Sequence, residues 1–292
     1  MITLMCNRWP FIRVAFWIAV LAFPLSRMSA QGTDSLPAPR EFARSLLVGG
    51  GLAHTLDTYL TPLEYTGGGA CIVFEQVRGV RRWGRTWLSQ HWVQADYTYT
   101  HNPAKSAYMH SGMLQYAYSL QRPFPLTSWL TGTAGPQVEA GVGGIYNHRN
   151  SNNPAQAKAT LSLGAAARLT ALCRVGSVPL RVVWQAHLPL VGLAFSPQYG
   201  ESYYEMFSLG EGGWHNVVFT SLHNRPTFRQ LLSVDVPVGR GVCRVGWLAD
   251  IRQTRIHHLK YHSWTHSLLV GYVRHFRLLD ARREYRSTSF FY

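Results

Sequence analysis

Between Ala157 and Val175 every odd-numbered residue is apolar: Ala157, Ala159, Leu161, Leu163, Ala165, Ala167, Leu169, Ala171, Cys173 and Val175. The even positions include Lys158, Thr160, Ser162, Gly164, Arg168, Thr170 and Arg174. That is period two, sustained well beyond an ordinary strand. The alanine content also permits a helix, but a helical stripe through Leu161, Ala165, Leu169 and Leu172 sweeps in Arg168, whereas alternation sorts nearly every residue. One long apolar face and one polar face describe a strand between lipid and a wet lumen. The expected fold class is therefore all-β, a transmembrane antiparallel β-barrel of the outer membrane.

The N-terminus fits export. Arg8 and Arg13 form a positive n-region. Val14 to Leu25 is an apolar h-region, shorter than the roughly 20 residues that a membrane-spanning helix needs. Met28-Ser29-Ala30 offers cleavage before Gln31, the alternative being an uncleaved anchor. No later apolar run is long enough for a transmembrane helix. A mean hydropathy of −0.07 suits a barrel, because lipid-facing and lumen-facing positions cancel.

The net charge is +14, and +11 once Arg8, Arg13 and Arg27 leave with the signal. In an exported barrel such a balance points to outer-membrane lipids, including anionic lipopolysaccharide, or to an anionic solute, and away from nucleic acid. Cys71, Cys173 and Cys243 are odd in number and match no metal spacing. They read as small hydrophobes with no structural disulfide.

Along the chain, a flexible lead-in precedes a first strand around Leu46 to Leu52. Thr58 to Tyr65 reads as a connection, Gly67 to Val77 as a strand and Val80 to Arg85 as a turn. Thr86 to Thr100 alternates clearly, with Trp87 and Tyr97 ten residues apart. That is about 33 Å along a strand, or about 25 Å after a tilt of roughly 40°, the height of an apolar band edged by aromatics. A soluble sandwich with aromatic rims is the competing reading, but its strands are usually shorter. Strands follow at Ala107 to Gln121, Leu130 to Asn147 (with a bulge or break expected at Pro136), Ala157 to Val175 and Leu180 to Leu188. Pro123 and Pro125 mark a turn. Ser196 to Pro226 breaks the rhythm, with Val217 to Leu222 a candidate short strand inside it. Thr227 to Val238 and Cys243 to Arg252 resume the wall, His257 to Trp264 reads as a loop, and Ser267 to Leu279 closes the barrel. This counts ten strands, with eight to twelve allowed by the pattern. The resulting organisation is a signal peptide (1–30), a periplasmic lead-in (31–44), the barrel (45–279, with 196–226 as lid or plug) and a C-terminal tail (280–292).

Tyr59-Leu60-Thr61-Pro62-Leu63-Glu64-Tyr65 is a distinctive run, as are Phe195-Ser196-Pro197 followed by Tyr199-Gly200 and Ser202-Tyr203-Tyr204-Glu205, and Lys260-Tyr261-His262-Ser263 leading to Val270-Gly271. In these segments the chain resembles an uncharacterised family of secreted, barrel-like proteins from Bacteroidota. The resemblance covers most of the mature chain and implies an origin and a location, without an activity.

Candidate lumen charges are Glu75, Asp96, Glu139, Arg168, Arg174, His187, Asp235, Arg244, Asp250 and Arg252, joined by Lys158, Arg181 and Arg229. They read either as an ion pathway or acid–base site, or as a crosslinked plug, since a ten-stranded barrel is barely wider than its own side chains. His257, His258, His262 and His266 match no zinc signature and read as a solvated loop, so neither metal nor cofactor is expected. His110-Ser111 and His266-Ser267 invite a hydrolase, but adjacent strand residues point to opposite faces. Asp96, Asp235, His187 and Asp250 could line one mouth in the manner of a barrel protease. Tyr199, Tyr203, Tyr204 and Trp214 are candidate loop contacts for an envelope protein. The leading expectation is a non-enzymatic outer-membrane barrel with a structural, binding or narrow-pore role. The alternatives are a barrel-embedded hydrolase acting on lipid or peptide, and a subunit of an envelope complex.

Overall fold

The computed structural model of the protein describes residues 41–150, 153–208, 213–239 and 241–277. The expected signal peptide, most of the lead-in and the tail lie outside the described residues. The strands are β1 (Glu41–Asp57), β2 (Thr61–Arg82), β3 (Arg85–His101), β4 (Tyr108–Pro125), β5 (Leu130–Asn147), β6 (Ala155–Val175), β7 (Val178–Phe195), β8 (Val217–Ser221), β9 (Phe228–Val238), β10 (Gly241–Ile256) and β11 (Leu259–Arg277). Each wall strand pairs antiparallel with its neighbours, and β1 pairs with β11 to close the ring. Ten strands form the wall. The eleventh, β8, adds to the upper half of β7 where β9 has ended: β9 pairs with β7 as far as His187, and β8 takes over from Val191 to Phe195. The handover coincides with a bulge at Leu190, between the pairs Gly164–Pro189 and Leu163–Val191. No helix among the described residues is long and apolar enough to cross a membrane.

Alternation decides which way each side chain points. On β6 Leu161 and Leu163 are exposed on the outer face, while Ser162, Ala166 and Arg168 are buried in the lumen. On β3 Tyr97 and Tyr99 point out, and Gln90, Trp92 and Gln94 point in. The outer apolar band runs on β1 from Leu46 to Leu52, bounded by Arg44 below and His54 above. Ten residues separate those two, about 33 Å along the strand and about 25 Å after tilting, close to the height of a hydrocarbon band.

The ends of the wall differ. Both described chain ends and the short turns at Trp83-Gly84, Gly176-Ser177 and Gly239 lie at one end, the terminus end. The opposite, loop end carries Asn102–Ala107, residues 148–150 and 153–154, and the described residues that follow β7.

Several boundaries depart from the sequence reading. Thr61 to Tyr65 is strand, and only Thr58–Leu60 turns. Val80 to Arg82 also stay in β2, and β4 runs on to Pro125, with the turn at Leu126–Trp129. His257 to Trp264 is not a loop: a two-residue turn, His257-His258, joins β10 to β11. Both histidines have positive φ (51° and 63°), the geometry of a type I′ hairpin turn, which histidine tolerates better than most side chains. Pro136 breaks the β4 ladder locally without a bulge: Ser119–Gln137 and Arg122–Ala134 share one register, with unpaired positions between them.

Two glycines of β1 leave no room for a side chain against the backbone of β11. A Cβ on Gly49 would lie 1.9 Å from the Leu268 carbonyl oxygen, and one on Gly51 would lie 1.8 Å from that of His266. No adjustment of a flexible side chain relieves a clash with backbone, so Gly51→Ala is expected to abolish the folded, heat-modifiable form on a semi-native gel. Gly112→Ala, whose Cβ would meet nothing closer than 4.0 Å, should leave the gel shift intact.

Candidate functional site

The barrel interior is a ladder of ion pairs reaching across the lumen. Near the terminus end Arg244, on β10, donates to Asp235 Oδ1 at 2.6 Å and to Glu75 Oε2 at 2.7 Å. Arg168 reaches the other oxygen of Glu75 at 3.0 Å, and Arg181 donates to Asp235 at 2.6 Å. Gln90 donates to Glu75 Oε1 at 2.7 Å and to Gln185 at 2.6 Å, so neutral amides extend the same network. Arg244 is 1 % exposed and Glu75 2 %.

Nearer the loop end a second set repeats the pattern. Arg252 donates to Asp96 and Asp250, both at 2.6 Å. Arg229 donates to Glu139 at 2.5 Å and to Gln115 at 2.8 Å. Gln137 joins Glu139 to His187. Trp92 lies fully buried beside these groups, with the Arg229 guanidinium 5.5 Å from its ring and the His187 ring 5.1 Å away. Leu47, Val73, Leu231, Leu248 and Leu269 pack in the same interior cluster as Trp92. His187, Arg229 and Asp250 form one cross-strand row, and each keeps one buried atom without a hydrogen-bond partner.

Asp57 and Lys158 pair at 2.8 Å near the loop mouth, where Lys158 Nζ also lies 4.0 Å from the Tyr261 ring centroid. Tyr59, Leu60, Tyr65, Met109, Ile145 and Tyr261 form an inward apolar cluster there. Helix α1 (Tyr203–Ser208) covers it: Tyr203 packs on the cluster and accepts from the Ala157 backbone N–H, and Met206 is fully buried. Arg225 enters the lumen and donates to Ser162 at 2.6 Å. Glu201 clasps the excursion. It accepts from the Gln198 N–H, from Asn216 and from His215. Partial burial pushes its pKa up, but those bonds outweigh burial and hold it below the usual carboxylate value.

Nine of the ten lumen candidates lie inside. Arg174 does not: it has inward parity but sits beyond the rim, exposed beside the Gly176 turn. The residues that sequence reasoning left out are Asp57, Arg225 and the glutamines Gln90, Gln115 and Gln137. Their inward parity on polar strand faces was the available signal for the glutamines. Of the loop aromatics, Tyr199, Tyr204 and Trp214 are exposed, Trp214 by 84 %, whereas Tyr203 is turned in. Asp96, Asp235, Asp250 and His187 do not converge on one mouth: Asp235 belongs to the Arg244 set, Asp96 and Asp250 share Arg252, and His187 bonds to Gln137.

His110 faces outward onto Tyr97 while Ser111 is buried, and His266 stacks on Trp247 while Ser267 points in. Ser221 and His223 do meet, through Nδ1, at the end of β8. Among the described residues no carboxylate bonds to that imidazole, so the pair lacks the third group that orients a catalytic base. His262 and His54 both approach Glu64 on the outer wall, at 3.3 and 3.7 Å. No group of three His, Cys, Asp or Glu side chains among the described residues is placed to hold a metal.

Structurally the protein is thus a closed ten-stranded antiparallel barrel with a filled, salt-linked lumen. The chain belongs to a family described as a protein of unknown function (DUF3316), whose model matches residues 16–283. No curated protein matches it. Among solved structures it is similar to the COG4313 outer membrane channel from Pseudomonas putida F1, at 9 % identity over 85 % of this chain and 100 % of that one, with a TM-score of 0.36. It is also similar to the translocator domain of the autotransporter NalP from Neisseria meningitidis, at 10 % identity over 90 % and 95 %, with a TM-score of 0.31. Likenesses this distant carry no activity across, and the barrel rests on its own closed ladder.

Removing Arg244 would take one of two guanidinium partners from each of two buried carboxylates, leaving Glu75 with Arg168 and Asp235 with Arg181. Arg244→Ala is therefore expected to cost about 3–5 kcal/mol in urea unfolding followed by tryptophan fluorescence, against no measurable change for Arg174→Ala. The Glu201 clasp gives a pH prediction. Its folded pKa lies below the unfolded one, so its contribution is present above the ordinary carboxylate range and is lost as pH falls through the folded value. Limited proteolysis should show the segments 198–208 and 213–216 opening under acid while the barrel stays intact, and Glu201→Gln should open them at neutral pH.

Proposed function

We propose that the protein is an outer-membrane β-barrel with a shut lumen, serving as a structural or binding element of the envelope and not as a diffusion pore. One observation carries this reading: cross-lumen pairs such as Arg244 with Glu75 and Arg229 with Glu139 leave the groups at the barrel axis at 3 % exposure or less, so no water-wide path follows the axis. Insertion in a bilayer is supported by the outward band of Leu46, Val48, Leu161, Leu163, Leu193 and Val270, all exposed around a closed ring. The n-region, h-region and small residue at Ala30 support export with a cleaved signal, and the sequence resemblance supports a Bacteroidota origin. Lys105, Arg149, Arg255 and Lys260, exposed at the loop end, are the groups that would meet lipopolysaccharide.

A second reading, a subunit of an envelope complex, is favoured by Tyr199, Tyr204 and Trp214. These large aromatics project from the excursion that caps the loop end.

Planar-bilayer recording tests the lead. Folded, inserted protein is expected to be electrically silent at moderate voltage. Stable unitary steps from the wild-type chain would contradict it.

A further inference from the structure

One cross-strand row of the lumen is less complete than the ion pairs around it. His187 on β7, Arg229 on β9, Asp250 on β10 and Thr265 on β11 are successive partners across the ladder. All four point inward, and the first three are 2 % exposed or less. Arg229 and Asp250 carry opposite charge and lie directly opposite each other, yet each bonds elsewhere. Arg229 spends its terminal nitrogens on Gln115 and Glu139. Asp250 Oδ2 accepts from Gln94 at 2.8 Å and from Arg252 at 2.6 Å. Arg229 Nε, Asp250 Oδ1 and His187 Nε2 are left without a hydrogen-bond partner among the described residues.

Their neighbours fix the polarity of those three atoms. Gln137 Nε2 donates to Glu139 at 3.1 Å, so the end of that amide facing His187 Nδ1 is its oxygen. An amide oxygen only accepts. Nδ1 therefore carries the proton, and Nε2 of the neutral ring is an acceptor. Arg229 Nε is a donor and Asp250 Oδ1 an acceptor. A guest must accept one hydrogen bond and donate two. A cation on Asp250 would face the guanidiniums of Arg229 and Arg252, and an anion on Arg229 would face the Asp250 carboxylate. A neutral oxygen with two O–H donors meets the demand, and that is water. Buried water typically makes about three bonds to polar groups that the protein leaves unpaired.

A second feature leads to the same guest. Thr265, next in the row after Asp250, lines a recess with Gly51, Gly69, Asp96, Thr98 and Ser267. Gly51 and Gly69 are cross-strand partners and contribute no side chain to it. The space is about 10 Å³, room for a single water molecule. Thr98 is 3 % exposed, and its Oγ1 also has no hydrogen-bond partner among the described residues.

We propose that the barrel core binds ordered water along this row. One molecule bridges His187 Nε2, Arg229 Nε and Asp250 Oδ1, and a second sits on Thr98 Oγ1 in the recess beside Thr265. The inference rests on the reading of the lumen as shut and deepens it. A buried polar group left unpaired is costly, and a trapped water removes that cost. The row water also joins β7, β9 and β10 where their side chains do not bond to one another. Water is a structural ligand here and not a permeant.

The test is a crystal structure of the refolded mature chain at a resolution that shows water, paired with deuterium relaxation dispersion in detergent, which counts long-lived water molecules. Wild type should show one oxygen within about 2.7–3.2 Å of all three row atoms, and another within that range of Thr98 Oγ1. Dispersion should count both as long-lived. Thr98→Val keeps the side-chain shape and removes the hydroxyl. It should lose the recess water, lower the midpoint of thermal unfolding and leave the row water in place. His187→Phe should lose the row water, and the threonine variant carries the test if that chain fails to fold. The proposal is overturned by a direct Arg229–Asp250 bond over a dry row, by an ion in place of either oxygen, or by a Thr98→Val chain with an unchanged water count. A dry row in a barrel that passes no current refutes the proposal and spares the shut lumen. An unbroken file of waters from either mouth refutes both.

Discussion

The structure depends on pairing every charge that strand alternation drives into the lumen. A ring of ten strands leaves an interior barely wider than its side chains. A guanidinium entering from one wall therefore reaches a carboxylate on another, as Arg168 on β6 reaches Glu75 on β2, and Arg252 on β10 reaches Asp96 on β3. Each such pair costs desolvation, which close geometry and further hydrogen bonds offset. Arg244 with its two carboxylates and the amide of Gln90 illustrates that arrangement. These contacts tie opposite walls together, so the polar interior is a crosslink between strands as well as an obstruction.

The ends of the barrel are finished differently. The terminus end is closed by tight turns and edged by arginine. At the loop end the inward face turns apolar at Tyr65, Met109, Ile145 and Tyr261, and α1 seats on it. The wall is also weakest on that side. Beyond Phe228, β10 has no strand partner but β11, and the backbone bond from Arg255 N–H to the Asn224 carbonyl bridges the gap. Arg225 turns inward just behind it. Any conformational change that opens the barrel would start at this seam, where the fewest ladder bonds must break.

Much of this was legible in the chain. β3, β5 and β6 follow from alternation alone, because their outward residues are apolar and their inward residues polar along most of their length. The same rule hid the upper parts of β2 and β11. There the pattern inverts: Tyr65, Leu259 and Tyr261 are apolar and inward, while Glu64, Lys260 and His262 are polar and face the outer rim. A reader of periodicity sees noise and calls it loop. The His257-His258 turn lacks the glycine or asparagine that usually announces a hairpin. Inward parity identified the lumen charges but not their partners. Pairing needs the register of strands far apart in sequence, and Arg174 shows that parity says nothing of whether a residue lies within the barrel's height. Function was not legible, because the charges form pairs that satisfy one another and converge on no reacting group.

Cys71 offers the most direct test of a filled lumen. It is a free thiol on the inner face of β2, 4 % exposed and packed with Leu47 and Trp92. A water-soluble maleimide applied to the inserted barrel, with the labelled position mapped by peptide mass, should leave Cys71 unmodified until urea unfolds the chain. Rapid modification of Cys71 in the folded barrel would mean that water and solutes enter from one mouth, and the closed-lumen account would fail.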